Sequence, residues 1–187
     1  MEQQNKTNAP ISLESLGQTL YEEMKKRGVG MMKDERREHT LSPTALVHEA
    51  VERLLDSDQR LFNNRSHMLA AAALAMRRIL VEHARARGRL KRGGGRGRSD
   101  WDVVVQSIGD QSDPDALLDL DDAIEHLRKE STNDAERVAR LAELRLFGSM
   151  RADEIAHVLG VSVSTVEKDW RYAKAQLRAF LARDEAR

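Results

Sequence analysis

The sequence of 187 residues contains no cysteine, so it can form neither a disulfide bond nor a thiolate metal site. It has only three prolines and 4% aromatic residues, and no apolar run long enough for a secretory leader or a membrane span. Its basic and acidic residues balance to a net charge of zero, so net charge alone does not indicate a binding partner. These absences predict a cytoplasmic protein without membrane insertion, whose core consists of leucine, valine, alanine and methionine.

The abundant residues, which are Ala, Leu, Glu and Arg, favour helices. We expect an all-α fold with two small helical domains, at residues 12–92 and 115–187. A flexible basic linker, rich in glycine and arginine, joins them at 93–114. Residues 1–11 are polar and are predicted to be disordered. The first helix is expected to start at Ser12 and to resume after two glycines from Met31 to Arg37.

The start of the second helix is strongly marked. Ser42 fits the N-cap, Pro43 fits the first helical position, and Leu41 can pack against Leu46. This helix is predicted to run to about Leu55.

A long helix is predicted at about 66–91, capped by Asn63 or Asn64, and its second half is basic. One-signed charge over several turns is typical of a surface that contacts a phosphate backbone. Among the basic residues of this half there is a single acidic residue, Glu82. The candidate DNA-binding residues on this helix are Arg77, Arg78, Arg85 and Arg87.

Two further helices are predicted at 115–129 and 134–147, followed by a helix-turn-helix at 151–177. In the first of them, Asp119, Asp121, Asp122 and Glu125 are expected to face outward, because the leucine and isoleucine stripe occupies the other face. An acidic outer face suits a DNA-binding domain that keeps its acids away from phosphates.

The helix-turn-helix is indicated by Gly160, which can end its first helix, and by Ser162 or Ser164, either of which can cap the second. In that second helix Val166, Trp170, Ala173 and Leu177 share one face. A helix pair joined by a turn of about four residues is the motif that places its second helix in a DNA major groove. The side chains left on the outer face, and therefore predicted to bind DNA, are Ser164, Thr165, Lys168, Arg171 and Lys174.

Catalytic and metal-binding motifs are lacking. His48-Glu49 begins like a zinc-protease motif, but Glu52 stands where the second histidine is required. The six histidines show no ligand spacing, and the glycines of 93–97 follow no strand, as a dinucleotide loop would require. We therefore predict a protein that is not an enzyme, with no catalytic residue, no metal and no cofactor.

Three segments together resemble the bacterial extracytoplasmic-function (ECF) sigma factors: LVHEAVERLL (46–55), AAALAMRRILVEHARARGRLKRGGG (71–95) and ELRLFGSMRADEIAHVLGVSVSTVEKDWRYAKAQL (143–177). One ECF subgroup, which is linked to Ser/Thr kinases, has a similar combination of motifs: MRRILVEHAR and KRGGG together with STVEKDW. The resemblance covers nearly the whole chain beyond residue 12.

This resemblance implies that residues 12–92 correspond to sigma domain 2 and 115–187 to sigma domain 4. The helix at 43–55 would dock on the β′ clamp helices of core RNA polymerase, through His48, Glu49, Glu52 and Arg53. The basic helix would hold the −10 promoter element and help to melt it. The second helix of the helix-turn-helix would read the −35 element, with part of its domain on the β flap.

Two positions depart from many relatives. Ser42-Pro43-Thr44-Ala45 stands where acids often precede the docking helix, which predicts weak docking unless a phosphate restores negative charge. Thr44, or Ser42, is therefore a candidate phosphorylation site for a Ser/Thr kinase, and an anti-sigma factor is another possible regulator. Glu167 and Asp169 are unusual acids on a DNA-reading helix. A glutamate can accept a hydrogen bond from cytosine, but we expect a salt bridge with Arg171 instead.

Two other functions are compatible with the sequence. One is a free helix-turn-helix transcription regulator that acts as a dimer without being a polymerase subunit. The other is an RNA-binding protein that uses the Arg-Gly segment at 93–98.

Overall fold

The computed structural model describes residues 11–12, 18–32, 41–57, 61–90, 101, 104–105 and 114–182, with the backbone alone at 11, 87–90 and 114. Within these residues the fold is all-α, as predicted. The helices are α1 (Gln18–Gly30), α2 (Pro43–Asp56), α3 (Arg65–Leu90), α4 (Pro114–Arg128), α5 (Ala135–Leu146), α6 (Ala152–Leu159) and α7 (Val163–Ala182). No described helix is long and apolar enough to cross a membrane.

The start of the first helix differs from the prediction. Ser12 lies in a two-residue strand, β1 (Ile11–Ser12), which pairs antiparallel with β2 (Leu61–Phe62). Phe62 is almost fully buried, so this pairing joins the N-terminal segment to the chain just before α3. The expected helical continuation from Met31 to Arg37 lies mostly outside the described residues, as do residues 1–10.

The caps of α2 and α3 form from the residues that the sequence indicates. The Ser42 hydroxyl accepts a hydrogen bond from the Ala45 amide at 3.1 Å, and Pro43 begins α2. The Asn64 side-chain oxygen accepts from the His67 amide at 3.0 Å and caps α3. Each cap satisfies an amide of the first turn that has no partner within its helix.

The joint between α6 and α7 is also set by local chemistry. Gly160 has a φ of 67°, the left-handed conformation that favours glycine, and its amide bonds to the Ala156 carbonyl. Of the two predicted caps, Ser162 is the one used, because its hydroxyl accepts from the Thr165 amide at 3.1 Å. The turn between the helices therefore spans only residues 160–162.

The long helix α3 lies at the centre of the packing and contacts α1 and α2 as well as α4, α5 and α6. The larger hydrophobic cluster includes Met76 and Ile79 from α3 together with Leu120, Ile124 and Leu177 from the second half of the chain. In the smaller cluster Ala70 of α3 packs with residues of α5, α6 and α7. Helices from both predicted domains thus share one core, and the division into two domains stays a prediction.

Most of the predicted linker, 93–114, lies outside the described residues. Before Pro114, which begins α4, three of its residues are described as helical, Trp101, Val104 and Val105. Trp101 and Val104 are buried in the larger cluster, and the Arg178 guanidinium of α7 lies 5.5 Å from the centre of the Trp101 ring. This part of the linker therefore packs on the helical core.

Candidate nucleic-acid interface

The outer face of α7 presents three of the five predicted DNA-binding side chains to solvent. Ser164, Lys168 and Arg171 are exposed. The other two are partly engaged: the Thr165 hydroxyl lies 2.8 Å from that of Ser162, and the Lys174 ammonium lies 5.6 Å from the Trp170 ring centre. The exposed set contains donors suited both to phosphates and to base edges.

The two acids of α7 do not pair with Arg171, so that expectation is wrong. Asp169 is buried and accepts a hydrogen bond from Arg137 Nε of α5 at 2.9 Å. Glu167 lies 3.9 Å from Arg145, also on α5. Both acids therefore hold α7 against α5 and leave Arg171 exposed on the outer face.

A signal for the role of Asp169 was present in the sequence. Asp169 falls three residues after Val166 and four before Ala173, which places it on the buried stripe of α7. An acid on an apolar stripe needs a cation opposite it, and Arg137 is that cation.

On α3, the predicted DNA-binding residues have unequal environments. Arg78 is exposed, and Arg85 is 58% exposed with one carboxylate partner. Arg77 is buried, and its two terminal nitrogens each lie 2.5 Å from an acid, Asp121 and Glu143. The side chain of Arg87 lies outside the described residues. In this arrangement Arg77 is thus turned toward the second half of the chain.

The expectation that Asp121 faces outward is wrong. Asp121 on α4 is about 5% exposed and bonds Arg77 with one oxygen and Arg85 with the other, at 2.5 and 3.0 Å. It is inward because α3 packs along α4, a contact between the two predicted domains that helical spacing alone cannot reveal. Burial raises the pKa of Asp121, and the two guanidiniums offset part of that effect.

Around Arg77 lies a cleft of about 600 Å³ between α3 and the α4–α5 pair. Its charged lining consists of five arginines and five acids: Arg77, Arg78, Arg85, Arg128, Arg140, Glu82, Asp121, Glu125, Glu136 and Glu143. The lining therefore carries no net formal charge. Burial opposes the charge of Arg128, but hydrogen bonds from it to Glu143 and Glu125 outweigh burial and raise its pKa.

The outer face of α2 is open at two of the four predicted docking residues. His48 and Glu52 are exposed, and the His48 Nε2 lies 2.9 Å from the Tyr21 hydroxyl. Arg53 is tied to Glu49 at 2.7 Å and to Glu82 of α3 at 2.6 Å. These ion pairs fix the orientation of α2 on α3 while leaving His48 and Glu52 accessible.

The first turn of α2 carries no acidic residue, as the sequence shows. Ser42 uses its hydroxyl as the helix cap, whereas Thr44 lies half-buried within the first turn. Of the two candidate phosphorylation sites, Thr44 is therefore the one whose modification leaves the cap in place.

Among the described residues, no group of three or more histidine, aspartate and glutamate side chains is arranged to hold a metal ion. The charged groups that do cluster are paired arginines and carboxylates of α3, α4 and α5.

The chain matches a known protein family over most of its length. Residues 3–183 match the family model described as "ECF sigma factor". No curated protein and no solved structure matches the chain.

Proposed function

Because the chain belongs to the ECF sigma factor family, we propose that it binds core RNA polymerase through α2 and promoter DNA through α7 and α3. The observation that carries this proposal is the family match over residues 3–183. The open faces of α2 and α7, which lie on separate helices, support it, because one surface can hold polymerase while the other holds DNA.

In this proposal α7 reads the −35 element. Lys168 and Arg171 contact phosphates and base edges, since a helix presented beyond a tight turn fits the major groove. The basic side of α3 holds the −10 element, with Arg78 and Arg85 as its accessible members. The acids of α7 take no part in reading DNA, because Asp169 and Glu167 are directed to α5.

The test is reconstitution with purified core polymerase. We expect the full chain to co-elute with core polymerase and to give initiation at promoters selected from a genomic fragment pool. A chain that binds selected DNA as a dimer and never associates with polymerase would instead be a free transcription regulator.

We further propose that phosphorylation of Thr44 strengthens polymerase docking. A phosphate adds about −1.5 to −2 charge at neutral pH, at a helix N-terminus where the dipole favours it. α2 has no other negative charge in that turn. A Ser/Thr kinase that modifies Thr44 would then switch promoter use.

Thr44→Glu should raise the affinity for core polymerase, measured by fluorescence titration. Thr19→Glu is the control, because Thr19 is an exposed threonine in the first turn of α1. Promoter activity in cells that stays unchanged in Thr44→Ala would contradict the switch, and an anti-sigma factor recovered with the wild-type chain would place control elsewhere.

A further inference from the structure

The exposed histidine of the proposed docking helix is bonded to a residue of the neighbouring helix. His48 lies on the outer face of α2, and its Nε2 is 2.9 Å from the hydroxyl of Tyr21 on α1. The centroids of the two rings are 5.8 Å apart, and the ring planes are tilted by 36°. Tyr21 is half-buried and packs against the larger hydrophobic cluster. The contact therefore joins an exposed side chain to one that is anchored in the core.

The hydrogen bond also bears on which ring nitrogen of His48 carries the proton. A neutral imidazole has one N–H donor and one acceptor nitrogen, and the bond made by one nitrogen sets the state of the other. Among the described residues, His48 is the only hydrogen-bond partner of the Tyr21 hydroxyl. That hydroxyl uses its proton within the protein only by donating it to Nε2, and the ring then carries its own proton on Nδ1.

We propose that Tyr21 is a positioning residue of the polymerase-docking surface, which holds the His48 ring with its Nδ1–H presented to an acceptor on core polymerase. The inference rests on the proposed function, since it takes α2 as the docking helix. The docking surface then extends from α2 to α1. A polymerase surface that fits it carries a carbonyl or carboxylate oxygen opposite His48.

The charge next to His48 defines a second property of that partner. Glu52 is exposed and lies one turn after His48 on the same face of α2. Within the part of the chain that the structure describes, Glu52 forms no ion pair, whereas Glu49 of the same helix is bonded by Arg53. The surface therefore offers a donor and an anion side by side, and a matching polymerase surface places a cation opposite Glu52.

Tyr21 contributes to docking by preorganisation. An exposed side chain that is free to change rotamer loses that freedom when a partner binds, and the loss weakens binding. The bond to Tyr21 restricts His48 before polymerase arrives. Since ordering one such side chain changes a binding constant about two- to tenfold, this is the effect expected of the Tyr21 hydroxyl.

A double-mutant cycle in the full chain tests the proposal, with affinity for core polymerase measured by fluorescence titration. Tyr21→Phe removes the hydroxyl and keeps the ring, and His48→Ala removes its partner. Tyr21→Phe should weaken binding about two- to tenfold in the wild-type background. It should have no further effect in the His48→Ala background, because the hydroxyl acts through His48.

The chain offers a matched control for this substitution. Tyr172 is the other of its two tyrosines, and its hydroxyl is likewise bonded within the protein, to Glu130 at 2.6 Å. Tyr172→Phe therefore makes the same chemical change on a different helix, α7, and should bind core polymerase as the wild type does.

Nuclear magnetic resonance of the chain labelled with nitrogen-15 histidine reads the state of the ring directly. The His48 signals are identified by their loss in His48→Gln. In the wild type they should show a protonated Nδ1 and a bare Nε2, and in Tyr21→Phe a ring that exchanges between both tautomers. A purely structural role of the Tyr21 hydroxyl would leave the tautomer of His48 unchanged.

Wild-type affinity in Tyr21→Phe, or an equal loss of affinity from that substitution with and without His48, overturns the proposal. So does a His48 ring that is protonated at Nε2 in the wild type. Should Tyr21→Phe lower the melting temperature, titration well below its transition compares folded chains. A wild-type chain that does not bind core polymerase refutes the proposed function, whereas the resonance spectrum still decides whether Tyr21 sets the state of His48.

Discussion

At the scale of single residues, α7 has one set of side chains that pack against the rest of the protein and another set that is exposed to solvent. Asp169 is buried against Arg137, whereas Lys168, its neighbour in the chain, is exposed. A substitution at Lys168 or Arg171 therefore changes the exposed face of α7 without removing a described contact of the core.

Lys168→Ala and Arg171→Ala should each weaken −35-dependent transcription, by about 1–3 kcal/mol where the residue contacts a base. Single-round transcription with core polymerase measures the effect. Lys26→Ala on α1 removes the same charge at an exposed site and should transcribe normally. Full activity from a −35-dependent promoter in both α7 variants would contradict their assignment.

Asp169→Asn should act differently, through stability. It removes a carboxylate that accepts from Arg137 and leaves that guanidinium with Asp134. Loss of a largely buried partner costs on the order of 1–3 kcal/mol. Urea unfolding should show this loss, and a variant as stable as the wild type would mean that the pair contributes only orientation.

The ion pair between α2 and α3 should depend on pH. The hydrogen bond from Arg53 lowers the pKa of Glu82, against the opposing effect of burial. A lowered folded pKa stabilises the fold above the unfolded value, about 4.5, and this contribution disappears as pH falls through the folded pKa. Because water screens the pair, the contribution stays below about 1 kcal/mol.

Urea unfolding of wild type and Glu82→Gln, at neutral pH and at a pH of about 3, measures that dependence. The stability difference between the two proteins should be present at neutral pH and vanish in acid. A difference that is the same at both pH values would show that the pair has no linkage to folding.

At the scale of elements, the end of α5 must lie very close to α3. A Cβ added at Gly148 would stand 2.5 Å from the Leu144 carbonyl oxygen and 3.3 Å from Ala73 Cβ of α3. The Gly148 carbonyl also accepts a hydrogen bond from Arg27 of α1. A side chain at this position would therefore collide with the backbone of α5 and crowd α3.

Gly148→Ala should destabilise the protein by about 1–3 kcal/mol, because backbone atoms must move to admit the methyl group. Gly30→Ala is the control, since a Cβ there meets nothing within 4 Å. Thermal unfolding followed by circular dichroism compares the two. A Gly148→Ala protein that melts with the wild type would show that the backbone around Leu144 and Gly148 relaxes at no cost to admit the methyl group.

Elements were predictable where the determining chemistry is local. Ser42 and Pro43 mark the start of α2, and Gly160 marks the end of α6, because each acts within one turn of the chain. Ser12 was misassigned because its strand partner, Leu61, lies 49 positions further along the sequence. No local pattern reports such a pairing.

The candidate site was likewise predictable only where its geometry depends on residues of a single helix. The exposed face of α7 follows from helical spacing on that helix alone. The environment of Arg77 does not, because its partners Asp121 and Glu143 are 44 and 66 residues away. A run of arginines on one helix looks like an open basic face until the packing of its neighbours is known.

At the scale of the whole molecule, the shared core has a thermodynamic consequence. Both hydrophobic clusters contain residues from before and after the predicted linker. Neither half can unfold without exposing apolar surface of the other, so we expect a single cooperative transition in the free protein.

Urea unfolding can be followed both by circular dichroism, which reports all helices, and by fluorescence of the two tryptophans, Trp101 and Trp170. The midpoints should coincide. A circular dichroism transition that extends beyond the fluorescence transition would show that α1–α3 fold independently of the rest.

The separation of functions on α7 also bears on how such proteins diversify. Its orientation is held from behind by Asp169 and by Val166, Ala173 and Leu177, all buried. Ser164, Lys168 and Arg171 can therefore be exchanged while the scaffold stays intact. If α7 reads the −35 element as proposed, a duplicated gene could acquire a separate regulon through a few such exchanges, and a designer would recode the protein for an orthogonal synthetic promoter at the same positions.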